Sequence, residues 1–166
     1  MFSVAVIGGG ASGMAFAVAL KQKRPDIEVA VFEKNPKVLK KILVTGNGRC
    51  NILNFDAVAE NYFEACEFVR PAVEKYTPKK TEAIFRDMGL LLMSEQEGRA
   101  YPISQTAASV VCVLSSAAER AGVKVFTDTP VKSIKKSQGR FVINNDKSFN
   151  FAVIACGGAA APKQGT

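Results

Sequence analysis

The sequence predicts an α/β fold: a parallel sheet with helices on one face, in which one crossover is an antiparallel β-meander. Three observations predict it. An apolar run, Phe2-Ser-Val-Ala-Val-Ile7, leads into the glycine-rich turn Gly8-Gly9-Gly10-Ala11-Ser12-Gly13 and then into good helix formers up to Lys23. A second apolar run begins at Glu28 and closes on Glu33. Far down the chain, short strand-like runs separated by turn residues end in a further apolar run, Phe151-Ala-Val-Ile-Ala155.

The first unit has the logic of strand, turn, helix, strand. Gly8 permits the tight turn, Gly10 lets backbone come close to a pyrophosphate, and Gly13 lets the helix pack closely on the strand, each being a job that excludes a Cβ. Ala11 and Ser12 then open the helix, whose free N–H groups and positive dipole end suit a diphosphate. Arg24-Pro25-Asp26 ends it, because the residue before proline avoids the helical region. An acid at the end of the next strand, Glu33, is the expected acceptor of ribose hydroxyls. These residues point to a dinucleotide site.

Composition is that of an ordinary globular chain: 166 residues, 48% hydrophobic and 22% charged, enough for one domain with a sizeable core. The uncharged first twenty residues do not read as a leader, because no basic residue precedes them, glycines interrupt them and the strand-helix-strand logic runs on unbroken. A cytoplasmic location is expected. Cys50, Cys66, Cys112 and Cys156 show no C-x-x-C spacing, which fits a reducing compartment and small buried apolar roles rather than a metal site. No histidine is present, which removes histidine-based nucleophile pairs and histidine metal ligands. No metal is expected; a redox cofactor would supply the chemistry.

The net charge of +7 raises the question of nucleic acid. The densest basic cluster, Lys34, Lys37, Lys40 and Lys41, follows the ribose-binding acid, on the path of an anionic cofactor. No aromatic stacking platform or helix-turn-helix pattern accompanies it, so no nucleic-acid partner is expected. Beyond lies Thr45-Gly46-Asn47-Gly48-Arg49-Cys50-Asn51. Glycines and asparagines there tolerate left-handed backbone and can line up N–H groups as an anion-binding concavity with Arg49 as a forked donor; a plain solvent loop is the equal alternative.

The middle of the chain reads as a helical excursion over about 57–121. Phe63, Cys66, Phe68, Val69, Val73 and Tyr76 have mostly helical spacing and are expected in the core. A second helix starts at Pro78 and is capped by Gly89, 90–93 reads as a strand, and Thr106 to Ala121 as an amphipathic helix ended by Gly122. Val123 to Phe126 is expected as a buried strand. The meander occupies about 131–151, with strands at 131–135, 140–144 and 148–151.

Val-Ile-Gly-Gly-Gly-Ala-Ser-Gly, then Glu33-Lys34, then Lys41-Ile-Leu-Val-Thr-Gly-Asn-Gly-Arg-Cys-Asn-Ile-Leu-Asn54 together resemble the BaiN/YhiN-like family of FAD-dependent oxidoreductases. Gly98-Arg99-Ala100-Tyr101-Pro102-Ile103-Ser104 resembles a further segment of that family, and Val153-Ile-Ala-Cys156-Gly157-Gly158 with Pro162 to Thr166 is similar to its second flavin-contacting strand end. Cys156 stands where the family has a small hydroxyl residue. The resemblance implies a Rossmann-like, glutathione-reductase-like FAD/NAD(P)-binding fold over 1–166, corresponding to the amino-terminal part of longer family members.

It further implies that the FAD pyrophosphate lies over Gly8, Gly10, Ala11, Ser12 and Gly13, with Lys34 and Lys41 nearby, the ribose on Glu33 and the adenine beside the backbone of Val131. The flavin end would face Thr45, Gly46, Gly48, Arg49, Cys50 and Asn51, and Ala155, Cys156, Gly157 and Gly158. The implied activity is hydride transfer on a small organic substrate, either amine oxidation or enone reduction, with NAD(P)H as a candidate electron donor. No catalytic residue is assigned and the oligomeric state is left open. The alternative from the residues alone is an NAD-binding dehydrogenase or nucleotide-binding module without flavin.

Overall fold

The computed structural model describes residues 2–158. The predicted contact at Pro162 to Thr166 lies outside them. In chain order the elements are β1 (Ser3–Ile7), α1 (Ala11–Lys23), β2 (Glu28–Phe32), β3 (Leu53–Asn54), α2 (Cys66–Lys75), α3 (Pro78–Asp87), β4 (Leu92–Ser94), β5 (Arg99–Pro102), α4 (Ala107–Arg120), β6 (Lys124–Phe126), β7 (Ile134–Ser137), β8 (Arg140–Ile143), β9 (Lys147–Phe149) and β10 (Phe151–Ile154), with 3₁₀ turns at Lys40–Gly48, Ala59–Ala65 and Gln96–Gly98. Two compact units result: one takes in the chain up to Ile42 and again from Leu114, the other is Leu43–Val113. The second unit overlaps the excursion expected over about 57–121 without coinciding with it, beginning and ending earlier in the chain.

The first unit is built on a four-stranded parallel sheet in the order β10-β1-β2-β6. All five residues of β1 are buried, as a parallel strand covered on both faces demands. Alternation sorts its side chains. Ala5 and Ile7 join Ala30 and Phe32 of β2 in one cluster with Ile143 of β8 and Phe149 of β9, so the meander packs on this face. Val6 points the other way, toward Gly13 at the start of α1. One helix layer and one meander layer thus sandwich the sheet. The meander itself is the predicted antiparallel β7-β8-β9, and Asn150 ties it back to the sheet, its side-chain oxygen accepting from the Ser3 N–H at 2.9 Å.

Strand order reverses at β1. β2 lies on one side of it, reached through α1, and β10 on the other, reached through the meander. In open α/β sheets the crevice outside the carboxyl ends of two such strands is where ligands bind. One expectation fails here: β6 is not a buried strand but an exposed edge, with Lys124 and Val125 open to solvent and Lys124 paired with Glu28 at 2.6 Å.

The second unit holds a small antiparallel sheet, β3-β5-β4. Thr77 caps α3, its hydroxyl accepting from the Lys80 N–H, with Pro78 at the first helical position. The single helix expected over 57–76 is broken: Phe63 takes φ 45° and ψ −121°, a kink inside the 3₁₀ segment that precedes α2. The core roles expected there fail with it. Phe63 is 87% and Phe68 89% exposed, Tyr76 is exposed as well, and no residue of α2 is buried. The core of this unit comes instead from Ala59, Met88, Leu90, Ala100, Tyr101, Ala107 and Val110.

Candidate functional site

At the carboxyl end of β1, the Gly8 N–H donates to Phe32 O at 2.8 Å and the chain turns with Gly8 at φ +109°. A Cβ on Gly8 would run into the carbonyl of Ala155, lying 2.7 Å from its carbon, so glycine is what lets the ends of β1 and β10 meet. Ala155 N–H in turn donates to Ile7 O at 2.8 Å. A Cβ on Gly13 would press into the Gly8 carbonyl and lie 3.2 Å from Val6 Cγ1, the close helix-on-strand approach expected of that glycine. Gly10 differs from both. It has an extended backbone (φ −76°, ψ −174°) and nothing within 4 Å of where its Cβ would be.

Gly10 is also the N-cap of α1. It offers no side chain to the helix end, and no acid sits in the first turn. Its carbonyl accepts the first helical bond, from Met14 N–H at 3.0 Å, so the N–H groups of Ala11, Ser12 and Gly13 head the helix without intrahelical acceptors. Ala11 and Ser12 are exposed. The combination is an unobstructed helix end that presents N–H donors at the positive end of a thirteen-residue helix dipole.

Glu33 is buried, at 8% exposure. Its Oε2 accepts from the Gly9 N–H at 2.8 Å, and its Oε1 accepts from the Asn35 N–H at 2.8 Å and the Asn35 side-chain amide at 2.6 Å. A carboxylate offers about four lone-pair sites, so Oε2 keeps acceptor capacity for a hydroxyl donor. The acid therefore does two things, bracing the glycine turn and presenting an acceptor beside it. Sequence reasoning misses Gly9 and Asn35. Gly9 packs under the following loop, its missing Cβ leaving room for Val38 at 2.6 Å, and its carbonyl accepts from the Leu39 N–H; the signal for it is a third consecutive glycine.

The chain after β6 runs beside this loop. Thr129 N–H donates to Glu33 O and Asp128 N–H to Asn35 O. Two residues on, Val131, like Phe126, packs against the cluster that holds Phe32 and Phe149. Asn144 fixes its neighbours, accepting from the Lys132 N–H and donating to Pro130 O. Among the described residues neither the N–H nor the C=O of Val131 is hydrogen-bonded. Lys34 is exposed and Lys41 half-buried. Cys156, Gly157 and Gly158 are exposed, and the Cys156 Sγ lies 3.5 Å from Ile7 O.

Residues 45–51 fall in the second unit. Gly46, Asn47, Gly48 and Cys50 all have left-handed backbone. A Cβ on Gly46 would lie 2.7 Å from Asn51 N, so this turn also requires glycine. Arg49 is not the free donor that the sequence suggests: its Nη1 donates to Glu95 and Gln105, and it stacks on Tyr101. Cys50 is buried and burial pushes its thiol up, with a contact from Thr45 pulling the other way. That setting disfavours a thiolate. Of the four cysteines only Cys50 is buried, so the expectation of mostly buried cysteines fails: Cys66 is half-buried, and Cys112 and Cys156 are exposed.

A parallel sheet with a glycine turn, a helix N-terminus and a strand-end acid at the point where strand order reverses defines a Rossmann-like nucleotide-binding fold. The HI0933-like protein Rossmann domain matches residues 2–166, and the chain belongs to that family. It is 36% identical over its whole length to a 3-dehydro-bile acid delta(4,6)-reductase of Clostridium scindens. To a ribosomal RNA dihydrouridine synthase of Haemophilus influenzae it is 26% identical over 96% of its length. The chain spans 41% of each of these relatives. Among solved structures, glycine oxidase from Bacillus cereus shares the fold with a TM-score of 0.57 at 14% identity, over 98% of this chain and 57% of that one.

Proposed function

We propose that the chain is the FAD-binding part of a flavin-dependent oxidoreductase that reduces a carbon–carbon double bond conjugated to a carbonyl. One observation carries the cofactor reading: the open N–H cradle at Gly10, Ala11 and Ser12 lies in one unit with a buried strand-end acid that retains acceptor capacity and a main-chain edge at Val131 with both hydrogen-bonding groups unspent. The cradle fits a diphosphate, Glu33 a ribose hydroxyl, and the donor–acceptor edge of Val131 an adenine. When bound, the flavin would supply the hydride transfer. The chain's own residues would bind and orient it: the helix end neutralises the diphosphate, Glu33 rejects a 2′-phosphate by its charge, and residues 155–158 of the same unit take the ring end.

The choice of enone reduction over amine oxidation rests on the relatives. Reducing a 3-dehydro delta(4,6) steroid and making dihydrouridine both deliver hydrogen to a double bond conjugated with a carbonyl. A small organic substrate, NAD(P)H as donor and a cytoplasmic location belong to this proposal. Among the described residues no helix is long and apolar enough to cross a membrane. A second reading, in which the double bond belongs to a uracil in RNA, is favoured by the basic balance of the chain, since among the described residues Lys34, Lys37, Lys40, Lys132, Lys135 and Lys136 form no ion pair.

The test is the purified intact protein. Bound flavin released on denaturation, and a melting temperature raised by FAD and not by NAD, support the cofactor reading; a colourless protein stabilised only by NAD overturns it. Flavin reoxidation by a steroid dienone, by uridine-containing RNA or by neither then separates the two substrates from amine oxidation.

A further inference from the structure

Within the unit Leu43–Val113, α2 is two-sided and contributes nothing to the core. Cys66, Val69, Arg70 and Val73 make its half-buried side. On the other side Phe68, Pro71, Ala72 and Tyr76 follow at the three- and four-residue spacing of one helix face, and all four are exposed. The Tyr76 N–H still donates to Ala72 O at 2.8 Å, so Tyr76 stays in helical register. Phe68 stands almost wholly in solvent, as does Phe63 in the 3₁₀ segment just ahead of the helix. Large apolar groups gathered in water on one element mark a contact surface.

The charges along the helix indicate what covers it. Glu60, Glu64 and Glu67 gather at its start, and Lys75 and Lys80 at its end, where Lys80 Nζ reaches back to Lys75 O at 3.2 Å. Between them Arg70 is engaged within the chain, donating to Glu60 at 2.9 Å and Glu67 at 3.0 Å and lying 3.8 Å from Glu74. Among the described residues Glu64, Lys75 and Lys80 form no ion pair. A polyanion or an anionic membrane would meet carboxylates at the start of the helix, and a partner of one sign of charge is matched at one end alone. A second copy turned end for end matches both ends, acid start on basic end, twice. Reversal also sets the two helix dipoles antiparallel, which is their favourable arrangement.

We propose that the face made by Phe68, Pro71, Ala72 and Tyr76 is covered by the same face of a second copy of this chain, α2 running antiparallel to its mate about a two-fold axis near Ala72. An isologous contact uses one patch twice, so a single stripe suffices. The pairing sets Phe68 against Tyr76 of the second copy, and the small side chain of Ala72 at the crossing lets the helices approach. Glu64 at each start then faces Lys75 at the end of the other copy.

Sedimentation equilibrium of the intact protein from about 1 to about 100 μM, the range suited to an interface of modest area, reads the association. Wild type should pass from monomer to dimer. Phe68→Glu should weaken the dimer at least about tenfold and leave the melting temperature of the monomer unchanged, since the ring supports nothing buried. Charge reversal tests the direction of pairing. Glu64→Lys and Lys75→Glu should each dimerise several-fold more weakly than wild type, and an equal mixture of the two should recover wild-type affinity, because every contact between 64 and 75 then joins opposite charges. Wild type that stays monomeric throughout, a dimer that Phe68→Glu leaves intact, or a mixture no better than its components overturns the proposal. A lower melting temperature of monomeric Phe68→Glu overturns it too, by showing the face covered within one polypeptide, and capture of wild-type monomer on phosphatidylserine vesicles does so by showing a lipid surface as the occupant.

Discussion

Gly8 and Ala155, 147 positions apart, meet so closely that any Cβ on Gly8 would collide with the Ala155 carbonyl. The glycine is thus as much a joint between β1 and β10 as a turn residue. Its left-handed φ of +109° adds to the constraint. Gly8→Ala should therefore cost stability before it costs binding: strained backbone contributes about 1–3 kcal/mol and the backbone collision, which no flexible side chain can relieve, raises the total. The midpoint of urea unfolding checks this, and a variant within 0.5 kcal/mol of wild type, roughly the surface-substitution range, would contradict the close approach.

Glu33 should show a mixed effect. Replacing it by alanine leaves the buried Gly9 N–H and the Asn35 N–H without their acceptor, a loss of about 1–3 kcal/mol for each stranded donor. It also removes the ribose acceptor, so FAD affinity should fall by more than the loss of stability explains. Isothermal titration at a temperature where the variant is still folded separates the two. Equal FAD affinity in wild type and variant would sink the ribose role.

How much of this is legible in the sequence alone follows from where the information is local. Gly8, Gly10, Gly13 and Glu33 sit within a single strand-helix-strand stretch whose spacing carries the geometry, and the turns at 137–139 and 144–147 announce the meander. The second unit is harder to read, because its contacts are between distant residues. Arg49 looks free in the sequence because Glu95 and Gln105, which hold it, lie 46 and 56 positions away. The spacing of Phe63, Phe68 and Tyr76 fits a buried helix face, but helical period reports one-sidedness and not what covers that side. β5 does not announce itself as a strand, since Arg99–Pro102 is four residues long and one of its two partners, β3, lies more than forty positions back in the chain.

Cys50 gives a prediction in pH. Burial raises its thiol above the ordinary value in the folded chain, so the unfolded chain deprotonates first as pH rises. Its contribution is complete below the unfolded thiol value of about 8.5 and is lost as pH climbs from there through the raised folded value. Urea unfolding followed upward from neutral pH should show stability falling on the alkaline side, and Cys50→Ala should flatten that fall. In thiol-labelling kinetics Cys112 and Cys156, both exposed, should react well before Cys50. Cys50 labelling first would place it in an open, electropositive setting instead and revive a redox role.

Gly10 allows the cleanest separation of folding from binding. Its backbone is extended, a conformation any residue adopts, and the position of its Cβ is clear of all atoms to 4 Å. Gly10→Ala should leave stability within about 1 kcal/mol of wild type, since no strain or overlap is introduced and the helix interior is untouched. The same methyl group would stand in the cradle formed by the Ala11 and Ser12 N–H groups, where a diphosphate must approach the backbone to within hydrogen-bonding distance. FAD affinity should drop by about tenfold or more, equivalent to roughly 1.4 kcal/mol, which is the size of a single charge-assisted hydrogen bond. Fluorescence titration with FAD beside thermal melts of the apo-protein gives both numbers on one sample. A variant that melts like wild type and binds FAD equally well would show that the diphosphate does not lie over Gly10.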